Sequence, residues 1–460
     1  MTGTSTKATA AASGTSGKSG RPFWTSPAYI PWFTADTAAA LGLSLRGLAI
    51  SLIGYKLSGS TVLAGWLGTS ASIAQQVFAL FGGTFVDRHD RRLLIIVNGV
   101  AGALAWGAVA GLDFLGHLGF VTLLAIATVE SGIAGFLGSA SDAMLRSIID
   151  IADYPTARSV NEGRDAAIGM GGSPLGGVLY AVGPWLPFLV AAVAYAAAGA
   201  AACFIRLPKK RRNLNDSSAT DAALETLADP LVNDSLADDA GQSGDNPSTD
   251  ESFIHDFVGG WKWTVRRRLI IVVIAAAALI NFGVNGISYA ITLHLVADGT
   301  GSAKIGLLDG SIAAAMFVGA FLAGKLARKL PVGRTVCAAT VLVAALAVAL
   351  TAVTAFWPTL VVYMFLGLPF PMFNAMLLGY IFAKAPTTMQ GRLATTVSVP
   401  ASMLSMFCSA AAGSLLAAVG YRWSIATFAA TLVAAAIIML ASRRLRTIPA
   451  ADRWDGTTLD

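Results

Sequence analysis

The sequence predicts an all-α membrane protein with twelve transmembrane helices arranged as two sets of six. Three observations predict it. Of 460 residues, 55% are hydrophobic and only 13% charged, with positive mean hydropathy, so a soluble globule would lack the polar surface it needs. Twelve segments reach the roughly twenty apolar residues that a helix needs to cross the hydrocarbon, where only internal hydrogen bonds satisfy a backbone. Lysine and arginine, finally, gather on one side of that topology. The net charge of +6 does not point to nucleic acid, because the cations cap apolar runs and form no stripe with interleaved aromatics. Cys203, Cys337 and Cys408 lie inside apolar runs without metal-ligand spacing and read as small buried hydrophobes.

In chain order, residues 1–26 form a disordered tail of Thr, Ser, Ala and Gly. It has no apolar core of the kind a cleaved signal needs, so the first span is expected to direct insertion. Gly14 to Ser19 resembles the end of a phosphate-binding loop, but Ala12 stands where its first glycine belongs and no strand precedes it. The first six spans run roughly 32–56, 61–85, 93–114, 119–141, 160–182 and 185–205, inside a bundle bounded at 27–206. The second six run roughly 269–296, 304–327, 335–355, 358–383, 393–418 and 423–441, inside a bundle at 266–446, followed by a tail to residue 460. With the amino terminus cytoplasmic, the outer loops hold only Lys56, Lys304 and Arg422, and Arg46 lies within a span; the remaining cations are inside. A multi-pass protein of the cell membrane with both termini cytoplasmic is expected. Between the bundles, a linker at 207–265 contains Asn213 to Asp256, with eleven acidic residues and no lysine or arginine. Such single-sign charge cannot support a packed core, though its leucines leave a short amphipathic helix open.

The loop after span 2, Gly83-Thr84-Phe85-Val86-Asp87-Arg88-His89-Asp90-Arg91-Arg92, organises the chain. A degenerate copy, Gly324 to Arg334, follows span 8, with Arg328 where Asp87 stands in the first half. Repeated halves are the usual architecture of secondary transporters, with the substrate site near the midplane between them. The Gly-x-x-x-Asp-Arg-x-x-Arg-Arg pattern resembles the loop signature of the major facilitator superfamily. With Ser173-Pro174-Leu175-Gly176-Gly177 in span 5 and Gln390-Gly391-Arg392 before span 11, residues 27–446 resemble its macrolide-efflux and enterobactin-exporter branch of drug:proton antiporters. The resemblance implies the major facilitator fold, with every third span peripheral. It also implies a cytoplasmic latch of Gly83, Asp87, Arg88, Arg91 and Arg92, with Asp87 at the amino end of a neighbouring helix, where the helix dipole favours an anion. Ser173, Pro174, Gly176 and Gly177 are similar to the family's antiporter element, with Ser173 replacing its first glycine; small residues also simply pack helices.

Charges inside a span mark a cavity or a partner, because an ionised group in hydrocarbon costs several kcal/mol. Arg46 and Glu130 lie near the middle of spans 1 and 4 and are predicted to pair or share a water. Asp36, about 15 Å down the same helix, reads as a second carboxylate at the inner mouth. Asp309, read as one turn into span 8, is an interfacial residue or a fourth coupling candidate. A carboxylate beside a moving arginine can load and release a proton; a static ion pair is the competing reading. Asn281, Asn285, Ser288 and Thr292 recur at helical spacing in span 7, as do Thr395, Ser398, Ser402, Ser405 and Ser409 in span 11. The first stripe reads as cavity lining; the second reads equally as hydroxyls bonded to their own helix. Pro369, Pro371 and Asn374 predict a kink in span 10, with Asn374 a further cavity candidate. Met364, Met372, Met376, Met403 and Met406 are core filler or adaptable surface.

His89, His117, His255 and His294 are scattered, with neither a His-Glu-x-x-His pattern nor a serine elbow, so an enzyme is not expected. Taken with the resemblance, these residues imply a cofactor-free transporter driven by an ion gradient, exporting a drug, macrolide or siderophore in exchange for protons. A proton-coupled importer and a non-transporting sensor are the alternatives. The expected partners are the bilayer and a small substrate, with no nucleic acid, and the expected unit is a monomer.

Overall fold

A computed structural model describes residues 24, 26–149, 153–206, 267–326, 330–384, 397 and 399–450. Most of the amino-terminal tail, the whole linker with its acidic insert, Gln390-Gly391-Arg392, Thr395, Ser398 and residues 451–460 lie outside them. Among the described residues all regular structure is helical.

The first half comprises span 1 (Tyr29–Ser58), span 2 (Thr61–Arg88), span 3 (Arg91–Phe114), span 4 (Phe120–Leu137, continued by Ser139–Ile148), span 5 (Tyr154–Val182) and span 6 (Leu186–Ala202). Span 7 (Arg268–Ala297), span 8 (Ser302–Leu326) and span 9 (Val332–Leu350) begin the second. Span 10 runs from Phe356 to Lys384 and is interrupted. Prolines at 369 and 371 remove backbone donors, and the helix breaks after Gly367 and continues through a π turn, Phe373–Leu378. Spans 11 and 12 share one long apolar stretch, Val399–Ala441. Gly420, with φ 78°, turns the chain between them, a conformation that a side chain would strain.

Among the described residues seven helices are long and apolar enough to cross a membrane, and two shorter apolar ones, Leu186–Ala202 and Phe356–Met372, join them. Spans 2 and 5 are long but richer in glycine, serine, amides and charge, because they face the other half of the molecule. The prolongation of span 4 beyond its apolar stretch and the early start of span 5 at Tyr154 add polar helix at the end bearing Arg88, Arg91, Arg92, Arg206, Arg267 and Arg443, called here the basic face. At the opposite, far face, Gly59, Gly116, Gly299 and Gly420 take φ of 63° to 78° in tight turns.

The packing repeats with an offset of six spans. Span 1 lies on span 6, span 2 on span 4 and span 3 on span 6; likewise span 7 lies on span 12, span 8 on span 10 and span 9 on span 12. Across the halves, span 2 meets span 11 and span 5 meets span 8, contacts that the same offset exchanges. The sequence repeat is therefore a pseudo-twofold in space. One expectation needs correction: spans 3 and 6 are not wholly peripheral. Gly42, Gly99 and Gly102 leave room for the Tyr195 ring of span 6, since a Cβ at any of them would come within 3.0 Å of that residue or its neighbour Gly199. Tyr195 and Asn98 thereby reach the central cavity.

Candidate functional site

Arg46 and Glu130 meet in the interior of the first half. Arg46 Nη2 donates to both carboxylate oxygens of Glu130, at 3.2 and 3.1 Å. The two side chains are only 6% and 3% exposed. The guanidinium lies 4.2 Å over the Trp106 ring of span 3 and 6.0 Å from the Tyr195 ring of span 6, so four spans converge on it. Removing two charges from water costs several kcal/mol per ion, which close geometry, hydrogen bonds and a ring face offset. Arg46 Nε makes no hydrogen bond among the described residues, so the guanidinium retains donor capacity beyond Glu130.

Asp36 is not a free carboxylate at the mouth. Its Oδ2 accepts from Arg164 Nη2 at 2.5 Å and its Oδ1 from Ser141 Oγ at 2.5 Å, while Trp32 Nε1 donates to Ser141 at 3.1 Å. Arg164 also bonds Thr37 and Asp165 and lies 5.2 Å over the Phe33 ring. The sequence reading missed Arg164, although it falls within the predicted fifth span; a cation inside a span is itself the signal that should have found it. Hydrogen bonds to charged groups contribute about 1.5–3 kcal/mol each. Arg164→Ala is therefore expected to lower the melting temperature of the purified protein, with Arg164→Lys intermediate. Equal stability of all three would show that the network does not hold spans 1, 4 and 5 together.

A cavity of about 740 Å³ lies above both pairs, lined by Asp36, Ser44, Arg46, Gln75, Asn98 and Arg164, with Tyr289 opposite. A lobe of about 510 Å³ continues it between the halves, lined by Gln75, Gln76, Asn285, Tyr289, Ser405 and Met406. The lining runs out to Asp142 and Arg158, an exposed ion pair of 2.7 Å at the basic face.

At the far face two glycine-mediated crossings close the molecule. A Cβ on Gly65 or Gly413 would stand 2.4 or 2.1 Å from a carbonyl oxygen of the facing span, Ser409 or Thr61. Thr61 Oγ1 donates to the Gly413 carbonyl at 3.1 Å, and Ala410 N donates to Thr69 Oγ1 at 2.9 Å. The second crossing uses the span 5 element. A Cβ on Gly177 would meet the Ser302 carbonyl at 2.4 Å, Gly306 packs on the Ser173 carbonyl and Gly310 on the Pro174 ring. Gly176 lies against the Leu45 carbonyl of span 1, and Ser302 Oγ donates to the Gly177 carbonyl at 2.8 Å.

The other predicted residues divide. Of the four residues predicted in span 7, Asn285 alone is among those that line the cavity, beside Tyr289 of the same span. Asn281 Nδ2 donates to the Ala401 carbonyl of span 11 at 3.1 Å, Ser288 is half-buried and Thr292 is buried; the stripe is thus partly helix-to-helix contact. Asn374 lies on the π turn and its side chain is outside the described residues. In span 11, Ser402 and Ser405 bond back to Val399 and Ser402, and Gln76 of span 2 donates to Ser402 at 3.3 Å. Of the methionines singled out, Met406 lines the cavity while Met376 is buried in the core. Asp309 is two turns inside span 8 instead of one, because the helix starts at Ser302.

The latch residues stay within the first half. Asp87 pairs with Arg91 at 3.9 Å, Arg91 Nη1 donates to the Ala143 carbonyl at 3.0 Å, and Arg92 Nη2 donates to the Cys203 carbonyl. Arg88 ends span 2, and a side chain at Gly83 would meet nothing. Among the described residues no latch bond crosses to the second half; the loops of the second half at this end, 327–329 and 385–396, lie outside them.

A family model described as Major Facilitator Superfamily matches residues 33–398. No curated protein matches by sequence. Among solved structures, a bacterial homologue of the iron transporter ferroportin, crystallised in an inward-facing state, superposes with TM-score 0.59 at 14% identity, covering 89% of this chain and 98% of that one. The nucleoside transporter NupG gives TM-score 0.56 at 12% identity, over 89% and 99%. At such identities the likeness is one of fold.

Proposed function

The chain belongs to the major facilitator superfamily, and from that premise we propose that it is a proton-coupled exporter of a bulky amphipathic small molecule. As a member it is a multi-pass membrane transporter and not an enzyme. In this reading the basic face is cytoplasmic in the cell membrane, following the rule that cations stay inside. The monomer is the working unit, and residues 207–265 link the two bundles. The observation that carries the reading is the Arg46–Glu130 pair, buried beside a cavity that opens at the basic face and is closed at the far face. That is the loading state of an exporter. Protonating Glu130 would release Arg46, and re-pairing would expel the proton, the exchange an antiporter needs. The two lobes are of the size of drug-binding pockets, with amides and hydroxyls placed to orient a solute. A drug, macrolide or siderophore is the substrate class.

The test is proton release by the reconstituted protein at about pH 7, between the ordinary carboxylate and lysine ranges, as macrolides, siderophores and cationic dyes are added. Release that Glu130→Gln abolishes is expected. Binding without release, unchanged in the variant, would overturn the coupling, and ligand-driven proton uptake would make the protein an importer.

A further inference from the structure

Asp309 differs from the other membrane-embedded carboxylates described above. Glu130 has Arg46 and Asp36 has Arg164, whereas Asp309 has neither a cation nor a hydrogen-bond donor among the described residues. It is half-buried, about 10 Å inside span 8 from its far-face end. At 100° per residue it stands between two packed faces of that helix. Ser302, Gly306 and Gly310 form one, against Ser173, Pro174 and Gly177 of span 5; Ile312 and Gly319 form the other, against Gly367 and Leu368 of span 10. The carboxyl therefore sits on the edge of the crossing that closes the far face between the halves.

We propose that Asp309 is the far-side proton acceptor of the transport cycle, and that this crossing closes only over its neutral, protonated form. The inference rests on the proton-coupled reading and names the group that admits the proton. With spans 5 and 8 apart, the carboxyl is hydrated from the far side and ionises freely. Closing the crossing removes that water, and nothing in the closed seam repays an anion: an unpaired carboxylate there costs several kcal/mol, while a carboxylic acid costs far less. Proton uptake from the far side thus becomes a condition for returning to the state open at the basic face. Tyr289, which lines both cavity lobes, and Tyr363 are the ionisable groups that sense Asp309 from spans 7 and 10. Span 5 presents Met170, Ser173, Pro174 and Gly177, none of which ionises. Lys304 lies more than a turn away on the same helix, with its ammonium 6.0 Å over the Phe356 ring. Tyr289 marks the side on which the proton leaves, since it alone of these groups faces the cavity open at the basic face.

Hydrogen–deuterium exchange of segments 170–182 and 302–312 in the reconstituted, substrate-free protein, corrected for intrinsic rate and followed from about pH 5 to about pH 8 across a carboxyl's possible range, tests this. The sign follows from linkage: raising the pH ionises Asp309 and disfavours the closed crossing. Exchange in both segments should rise, by up to about tenfold per pH unit for one linked proton. Asp309→Asn should exchange slowly and without pH dependence, and Asp309→Glu should restore the slope. A merely structural side chain would change the level of exchange and leave its pH slope intact. A slope that persists in Asp309→Asn and disappears in Glu130→Gln would overturn the assignment while leaving proton coupling standing. A wild-type protein without any slope would overturn both.

Discussion

Arg46→Met is expected to destabilise the first bundle by about 3–5 kcal/mol, the cost of leaving a buried charge without its partner. Glu130 is 3% exposed and Arg46 is the one cation it pairs with among the described residues, so the variant leaves a buried carboxylate without its partner. The variant also removes the cation from the Trp106 face, where it lies at 4.2 Å. Replacing both partners, as Arg46→Met with Glu130→Leu, should recover most of the lost stability, because apolar side chains of similar volume often match or exceed a buried pair. Thermal unfolding of the purified protein in detergent measures both. A double variant as unstable as the single one would show that the site depends on charge for more than pairing. A single variant as stable as wild type would show that water reaches the pair. In either background, proton release on adding ligand should be lost.

Gly413→Leu is expected to hold the far face open. The position where its Cβ would lie is 2.1 Å from the Thr61 carbonyl, a backbone atom that cannot turn aside, and Gly65 on the same crossing has equally little room. Overpacking costs about 1–3 kcal/mol, and here the cost falls on the closed state alone, shifting the equilibrium by about 5–150-fold. The fold itself should survive, since the substitution lies between two bundles that keep their own cores. A cysteine at Thr69, fully buried in the closed crossing, should then react faster with a membrane-impermeant maleimide added at the far side, with Cys203→Ser as background. Gly111→Leu, where a side chain meets nothing, serves as the control. Equal labelling rates in all three would mean that spans 2 and 11 do not form the gate.

Much of this was legible in one dimension because a bilayer imposes one-dimensional rules. The apolar length of each span follows from the hydrocarbon thickness, the gathering of arginines at one face from the same rule that keeps cations on one side, and the repeat from two copies of one charged loop. The Arg46–Glu130 pair was legible for a related reason: both positions fall at mid-span, and an unpaired charge there is too costly to leave. Asp36 shows where such reasoning fails. Depth along a helix was readable, but which neighbour lies at that depth depends on helix rotation, and Arg164 on span 5 turned out to face it. The span 7 stripe fails similarly, for a helical repeat marks a face without saying whether that face meets water or span 11.

The sequence by itself determined the membrane, the twelve spans, the two halves and the buried ion pair, since each follows from the cost of exposing charge or backbone to hydrocarbon. Only the tertiary structure decided which face is open, that the span 5 glycines serve the closed seam, and that, among the described residues, Arg91 and Arg92 bond within their own half and Asp309 stands without a partner. Most of those are properties of contacts between segments far apart in the chain, set by the rotation and approach of whole helices, on which hydropathy and spacing carry no information.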